Sequence, residues 1–371
     1  MSAPSLAEVT EHQVAARVAL EAALSAPHHA YLFVGPPGTG KRDAARIFAA
    51  EVLAAGASDP GDARRRALRH PSPHPDLVWL TPPGTQHLVE EVRERVIRGA
   101  AYRPFEGERR MFVIEAAEAM ADESQNALLK TLEEPPRFAH LVLLSSEPAA
   151  LLETVVSRCQ QIRFVPLPPE AVEERLAEAA GKRPEPERRA AARLCGGDID
   201  RAMFLLTESG HELRGRAEAC VRAARARGLD DAPWLALLQV ADGAGKEAAA
   251  EASALVAERE KALRGGKARA REAEEAGRRA GRRRRTEVLD LGLALCGAWV
   301  RDLAALSEGA ADVAITADRL DELRAEAEGL DPRAGRRAAE LVLDTRRRLR
   351  VNVSEELALE ALFYRLEAAL A

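Results

Sequence analysis

The 371-residue chain is poor in aromatic residues and in cysteine, and it has no long apolar run. Its four cysteines lie far apart and form no CxxC pair, which argues against a disulfide framework and favours a reducing, cytoplasmic setting. The longest apolar candidate, residues 291–300, ends at Arg301 and is too short to span a bilayer. Glu8 and Glu11 stand where a signal peptide would need an apolar core. We therefore expect a soluble protein.

The remaining composition is typical of a globular protein with more than one domain. Aromatic residues make up only 4% of the chain, whereas 30% of the residues are charged and 47% are hydrophobic. Alanine, leucine, glutamate and arginine dominate, which favours helix wherever the chain is not in a sheet. The length indicates two or three domains. The net charge of −5 by itself says nothing about nucleic-acid binding.

A glycine-rich loop follows the first apolar run, residues 31–34. The loop GPPGTGK precedes a stretch, residues 42–55, with the apolar spacing of a helix. In a phosphate-binding loop, glycines let backbone N–H groups converge on phosphate oxygens, the helix dipole assists, and the lysine neutralises the β and γ phosphates. The alternative is an ordinary Gly-Pro turn. The predicted nucleotide-binding residues are Gly35, Gly38, Thr39, Gly40 and Lys41.

Two residues that an ATPase needs are replaced. The motif requires Ser or Thr after the lysine, because that hydroxyl binds Mg²⁺, but here Arg42 follows. The apolar run 111–114 should end in an acidic pair that holds Mg²⁺ and polarises water. It ends in Glu115 and Ala116 instead, and a methyl group cannot orient water. The alternative for Glu115 is a solvated strand end. We expect a degenerate site that binds no metal and does not hydrolyse ATP.

The other apolar runs predict further strands of a parallel sheet. They cover residues 77–80, 141–144 and 161–165, and polar residues follow several of them, at the edge where open α/β sheets bind ligands. A capping-box pattern at Asp122–Gln125 predicts a helix with Asp122 as its N-cap, and a second pattern covers residues 352–355. Between these strands, residues 56–76 have the composition of a loop.

Three segments resemble the bacterial clamp-loader subunits of the AAA+ class, most closely the delta-prime type. The segments are HHAYLFVGPPGTGK, ESQNALLKTLEEPP and LLETVVSRCQQIRF. The resemblance is dense over residues 10–210 and loose beyond. It implies an α/β AAA+ P-loop core with a five-stranded parallel sheet of order 5-1-4-3-2, a helical lid and an all-α C-terminal collar. The expected domains are 1–166, 167–212 and 213–371.

The resemblance also implies a function, because delta-prime is the stator subunit that does not hydrolyse ATP. It implies that Arg158 of the Ser-Arg-Cys triplet is an arginine finger that reaches a neighbour's ATP site. The alternative is an arginine that pairs with a carboxylate. Arg201 stands where the family's sensor-2 arginine reaches nucleotide, with structural lid packing as the alternative. The implied partners are gamma/tau and delta subunits in a hetero-pentameric ring, the sliding clamp, and primer-template DNA through the complex, with no membrane.

We expect that the chain requires no cofactor. Weak ATP or ADP binding without turnover is compatible with the loop, and the family's usual zinc-binding cysteine insertion is replaced by GASDPGDARRRALRH. The chain would then be a subunit of the DNA polymerase III holoenzyme that has no ATPase or polymerase activity of its own. Two alternatives stay open: an ATP-hydrolysing gamma/tau-type motor that uses Lys41 and Glu115, and a DNA-binding module. The latter would use residues 264–285, ten of which are basic, although such runs are usually solvated helix faces.

Overall fold

The computed structural model describes residues 4–69, 72–82, 86–179, 183–261, 267–349 and 353–370, with side chains described except at 255–261 and 267–272. The chain forms two compact units, Met1–Leu167 and Pro168–Ala371. The finer division of the second unit at residue 212 stays a prediction.

The first unit is built on a parallel five-stranded sheet. Its strands run in the order β2-β3-β4-β1-β5, which confirms the order expected from the resemblance. Because all these pairings are parallel, the carboxyl ends of β1, β3 and β4 lie at one edge of the sheet, with β1 beside β4. The strands are β1 Ala30–Val34, β2 Leu77–Leu80, β3 Arg110–Ile114, β4 Ala139–Ser145 and β5 Gln160–Arg163.

Helices cover both faces of this sheet. They are α1 Leu6–Val9, α2 Val14–Ser25, α3 Lys41–Ala55, α4 Pro60–Leu68, α5 Val89–Glu91, α6 Gly99–Ala101, α7 Asp122–Glu133 and α8 Glu153–Val156, and a π-helical segment Val92–Arg98 joins α5 to α6. Successive strand side chains point to opposite faces. Phe33 therefore packs in one core with Phe48 of α3, whereas Leu32 packs in the other with Leu128 of α7. The two cores fix α3 and α7 on opposite sides of the sheet.

The loop expected over residues 56–76 contains a helix, α4, so that expectation was wrong. The Asp59 side chain accepts a hydrogen bond from the Asp62 N–H at 3.0 Å and caps the helix, and Pro60 occupies the first turn. Ala63 and Ala67 are buried. This amphipathic helix buries only small side chains, and its many arginines make it hard to recognise from the sequence.

The described part of the second unit is all helical. Its helices are α9 Pro169–Ala179, α10 Glu185–Leu194, α11 Ile199–Leu205, α12 Glu208–Arg225, α13 Leu235–Lys261, α14 Lys267–Ser307, α15 Leu320–Ala327, α16 Pro332–Arg348 and α17 Glu355–Leu370. The pattern expected at 352–355 falls partly outside the described residues. Over the same described ranges, no helix has the length and apolarity needed to cross a membrane.

The long helices α13 and α14 lie in backbone contact along a seam of small residues. A Cβ atom on Gly281 would lie 2.7 Å from the Gly245 carbonyl oxygen, and one on Gly277 would lie 2.7 Å from that of Ala249. Glycine normally weakens a helix interior. In α14 the close approach of α13 explains why glycine stands at positions 277 and 281.

Candidate functional site

The glycine-rich loop connects β1 to α3 as predicted. Gly38 and Gly40 have φ values of 69° and 85°, a region that residues with a side chain rarely adopt. At Gly35 an added Cβ would lie 2.2 Å from the carbonyl oxygen of Phe164, so no side chain fits between the loop and the segment after β5. The loop therefore adopts a backbone conformation that favours glycine at these three positions.

Contacts within the loop hold its polar side chains. The Lys41 ammonium donates hydrogen bonds to the carbonyl oxygens of Gly35 and Pro36, and the buried Thr39 hydroxyl donates to Pro36 at 3.0 Å. These carbonyl oxygens accept hydrogen bonds from the ammonium group that, in the predicted role of Lys41, would face a phosphate. The predicted residues of the loop are thus brought together, although their role in nucleotide binding stays a prediction.

Gln13 ties this loop to the end of the sheet. Its side-chain amide donates to the carbonyl oxygens of Val165 at 2.7 Å and Thr39 at 3.2 Å, and it accepts from the Val165 N–H at 2.9 Å. The side chain is buried, so all three bonds form away from water. We did not identify Gln13 from the sequence, because a glutamine just before a helix gives no distinctive signal.

Arg42 and Glu115 form an ion pair where a magnesium ion would be expected. The Nε atom of Arg42 lies 2.6 Å from Oε1 of Glu115, and the Glu115 side chain is only 8% exposed, whereas that of Arg42 is 50% exposed. Glu115 also accepts hydrogen bonds from the Trp79 indole at 2.7 Å and the Thr81 hydroxyl at 3.2 Å. The solvated strand end considered for Glu115 was therefore wrong, and its carboxylate is fully engaged.

These residues do not fit a magnesium ion. The guanidinium of Arg42 provides the positive charge that neutralises Glu115, and it offers no oxygen ligand. Across the described ranges, no three His, Cys, Asp or Glu side chains are grouped so as to hold a metal.

Ala116, at the place of the catalytic base, has a left-handed backbone with φ 47°. The buried His87 ring bonds through Nε2 to the carbonyl oxygen of Glu115 at 2.7 Å, and burial lowers the pKa of His87. The ring is thus a neutral donor that fixes the strand end. None of these groups replaces the missing carboxylate at position 116.

The exit of β4 carries the serines that follow the fourth predicted strand. The Ser146 N–H donates to Oε1 of Glu118 at 3.0 Å, and the buried Ser145 hydroxyl accepts from the Glu147 N–H at 3.2 Å. Glu118, three residues beyond Glu115, is therefore an acceptor for backbone at the edge of the sheet. The sheet brings this carboxylate, the serines and the glycine-rich loop to the same edge.

Arg158 lies at the surface between α8 and β5. Its side chain is 34% exposed, and its Nη2 atom lies 2.6 Å from Oε1 of Glu133, which is 49% exposed. Its Nη1 atom donates to the Thr154 carbonyl oxygen at 2.9 Å. In the chain alone Arg158 thus makes the carboxylate pair considered as the alternative to a finger, while it remains accessible from solvent.

The start of α7 corrects the predicted capping box. Asp122 is the first residue of the helix rather than its N-cap, which is Ala121 and provides no side-chain hydrogen bond. The buried Gln125 amide instead donates to the Met120 carbonyl oxygen at 3.0 Å and accepts from the Leu152 N–H at 2.8 Å. Gln125 therefore holds the segment that leads into α8 against α7.

Arg201 is engaged inside the second unit. Its Nη2 atom lies 2.7 Å from Oδ2 of Asp290, and its Nε atom lies 3.5 Å from Asp198. Asp290 also binds Arg346 at 2.8 Å through both carboxylate oxygens. Arg201 thus links α11 to α14 and α16, which agrees with the packing role considered for it. The sensor-2 role stays a prediction.

The described part of the basic segment on α14 is largely neutralised by nearby acids. Arg279 and Arg283 pair with glutamates four residues away on the same helix, and Arg285 pairs with Asp242 and Glu355. Arg284 lies over the ring of Phe204 at 4.4 Å. These contacts are those of a solvated, ion-paired helix face. DNA contact by this segment stays a hypothesis.

Comparison with known proteins identifies relatives of the first unit. Residues 11–168 match the family described as DNA polymerase III, delta subunit. The DNA polymerase III subunit delta' of Bacillus subtilis is 37% identical over 155 residues, which cover 40% of this chain and 46% of that protein. That of Pseudomonas aeruginosa is 38% identical over 144 residues, covering 38% of this chain and 44% of that protein.

A tau/gamma subunit is also similar to this chain. The DNA polymerase III subunit tau/gamma of Haemophilus influenzae is 33% identical over 153 residues, which cover 40% of this chain and 22% of that protein. The chain thus spans less than half the length of the curated relatives it matches. These findings confirm the resemblance to delta-prime subunits of DNA polymerase III, and the matched residues coincide with the first compact unit.

Proposed function

We propose that this chain is the stator subunit of a bacterial clamp loader, the complex that loads the sliding clamp on primed DNA for DNA polymerase III. Its partners would be gamma/tau-type and delta-type subunits in a hetero-pentameric ring, with residues 167–212 as the lid and 213–371 as the collar. It would act in the cytoplasm and contact primer-template DNA through the complex. The similarity of residues 11–168 to delta-prime subunits supports this assignment.

One observation carries the proposal that the subunit does not hydrolyse ATP. Arg42 is paired with the buried Glu115 at 2.6 Å, and Ala116 follows, so the site has neither a hydroxyl for Mg²⁺ nor a base for water. Weak binding of ATP or ADP remains compatible with the glycines and Lys41, and no cofactor would be required.

The same subunit would assist a neighbour through Arg158. An arginine finger supplies roughly 10³–10⁵ in rate, which corresponds to about 4–7 kcal/mol of the barrier, by stabilising charge on the transferred phosphoryl group. Arg158 suits this role because its side chain is partly exposed and its surface ion pair with Glu133, worth only about 0–1 kcal/mol, leaves the guanidinium open to a further partner.

Reconstitution tests this proposal. The full chain is combined with gamma/tau-type and delta-type partners from the same organism, and ATPase is compared for wild type and Arg158→Ala at equal, verified ring assembly. We expect a large loss of ATPase in the variant. An unchanged rate would refute the finger.

The alternative function is that of an ATP-hydrolysing gamma/tau-type motor subunit. The similarity to a tau/gamma subunit favours it, and so do the retained loop glycines and Lys41. It predicts Mg²⁺-dependent ATPase in the purified chain that Lys41→Ala abolishes. The stator proposal predicts no such activity in either protein.

A further inference from the structure

The immediate surroundings of Arg158 define the direction of its guanidinium. The Nη1 atom has two acceptors on its own short segment, the Thr154 carbonyl oxygen at 2.9 Å and the Ser157 hydroxyl at 3.4 Å. The Nη2 atom bonds Oε1 of Glu133 at 2.6 Å. Of these acceptors only Glu133 is charged, and only Glu133 belongs to a different element of the fold.

Glu133 is held on a rigid support. It is the last residue of α7, and Pro135 and Pro136 follow after Glu134, so the helix cannot continue. Leu128 and Leu132 of the same helix are buried in the core. The Glu133 carboxylate therefore projects from a fixed point of the sheet-bound helix, whereas Arg158 follows the short helix α8.

A second contact joins the two elements near the start of α7. The buried Gln125 of α7 accepts a hydrogen bond from the Leu152 N–H at 2.8 Å, immediately before α8. This buried contact fixes the segment that leads into α8 against α7, the helix that carries Glu133 at its other end.

We propose that Glu133 is a positioning residue for Arg158, an inference that rests on the proposed function. A guanidinium has five N–H donors, and each Nη atom carries two of them. Among the described residues Nη2 has one acceptor, Glu133, and so keeps a second N–H for a phosphoryl oxygen of a neighbouring subunit. Glu133 holds the planar group in one orientation before assembly, so that less order is lost when the phosphate arrives.

The test uses the full chain in the reconstituted complex, at saturating concentrations of this subunit. Glu133→Ala is expected to lower the kcat of the neighbour's ATPase by up to about fivefold, with little change in the KM for ATP, because orientation matters only when the phosphoryl group reacts. Glu133→Gln keeps an oxygen acceptor and should lose only about twofold. The matched control is Glu123→Ala on the same helix, which removes a comparable exposed ion pair, that with Arg93 at 2.7 Å, and should leave kcat unchanged.

A double variant separates positioning from general support of the fold. If Glu133 acts through Arg158, then Glu133→Ala has no further effect on kcat in an Arg158→Ala background. A wild-type kcat in Glu133→Ala overturns the inference, and so does an equal fold-loss in both backgrounds or a loss that appears only as weaker assembly. If Arg158→Ala itself has wild-type activity, the proposed function fails first and the inference falls with it.

Discussion

Replacing Arg42 by threonine tests whether an ion pair occupies the place of the magnesium ion. The change removes the charge that neutralises Glu115 and restores the hydroxyl that the phosphate-binding motif requires after its lysine. Trp79 and Thr81 continue to donate to Glu115, so the carboxylate keeps two hydrogen bonds but loses its ion pair with Arg42.

The expected cost follows from the burial of the pair. An exposed ion pair contributes about 0.2–1 kcal/mol, whereas breaking a fully buried pair costs about 3–5 kcal/mol. Glu115 is 8% exposed and Arg42 is 50% exposed, which places this pair between the two cases. We expect Arg42→Thr to lower the free energy of unfolding by about 1–2 kcal/mol in the absence of nucleotide, given the two remaining hydrogen bonds.

Urea unfolding, followed by circular dichroism and tryptophan fluorescence, measures this cost. The variants are Arg42→Thr, Glu115→Gln and the pair together, in a double-mutant cycle that isolates the interaction between the two side chains. Arg42→Lys is the matched control, because it keeps the charge but loses the guanidinium fork.

The same variant should gain a response to magnesium. We expect Mg²⁺ with ATP to stabilise Arg42→Thr, by about 2.7 kcal/mol when ATP is at 100 times its Kd, and to stabilise wild type no more than ATP alone does. Turnover should stay absent, because Ala116 still provides no base. The reasoning is refuted if Arg42→Thr is as stable as wild type, or if Mg²⁺ stabilises both proteins equally.

Two further predictions concern the first unit. Gly35→Ala should lower the free energy of unfolding by about 2–4 kcal/mol, because the new Cβ would lie 2.2 Å from the Phe164 carbonyl oxygen. The control in the same urea assay is Gly61→Ala, whose new Cβ would have its nearest contact at 3.5 Å. Burial lowers the pKa of four histidines below 6.5, so the unfolded chain binds more protons and stability falls as pH drops below about 6.5. The four histidines are His29, His74, His87 and His140. The urea midpoints of unfolding at about pH 7.5 and 5.5 measure the loss of stability, and equal midpoints would contradict the prediction.

The local motifs of the first unit were predictable because they are contiguous in the chain. The glycines of the phosphate-binding loop, the replacement of its hydroxyl by Arg42 and the loss of a carboxylate at Ala116 can each be recognised from a few neighbouring residues. The strand order was also confirmed, but it came from the resemblance to a family, since apolar runs alone do not specify which strands are neighbours.

Local patterns failed where a competing contact decided the outcome. The arginine-rich segment around Arg65 was expected to be a loop, yet a cap at Asp59 and two buried alanines make it helical. The capping box at Asp122 was wrong because Gln125 bonds Met120 and Leu152 instead. In the first case the polar composition concealed a cap and two small buried residues within the segment itself, and in the second it concealed contacts of Gln125 with residues outside 122–125.

The sequence by itself determined that the phosphate-binding loop is degenerate and that an arginine of a clamp-loader motif is retained, because both depend on residue type at adjacent positions. Only the tertiary structure decided what these residues contact: Arg42 with Glu115, Glu133 with Arg158, and Gln13 with Val165. The paired residues are far apart in the chain, and their distances are set by the packing of helices on the sheet. No linear pattern specifies that packing, so the partners that neutralise or orient the functional groups appear only in the fold.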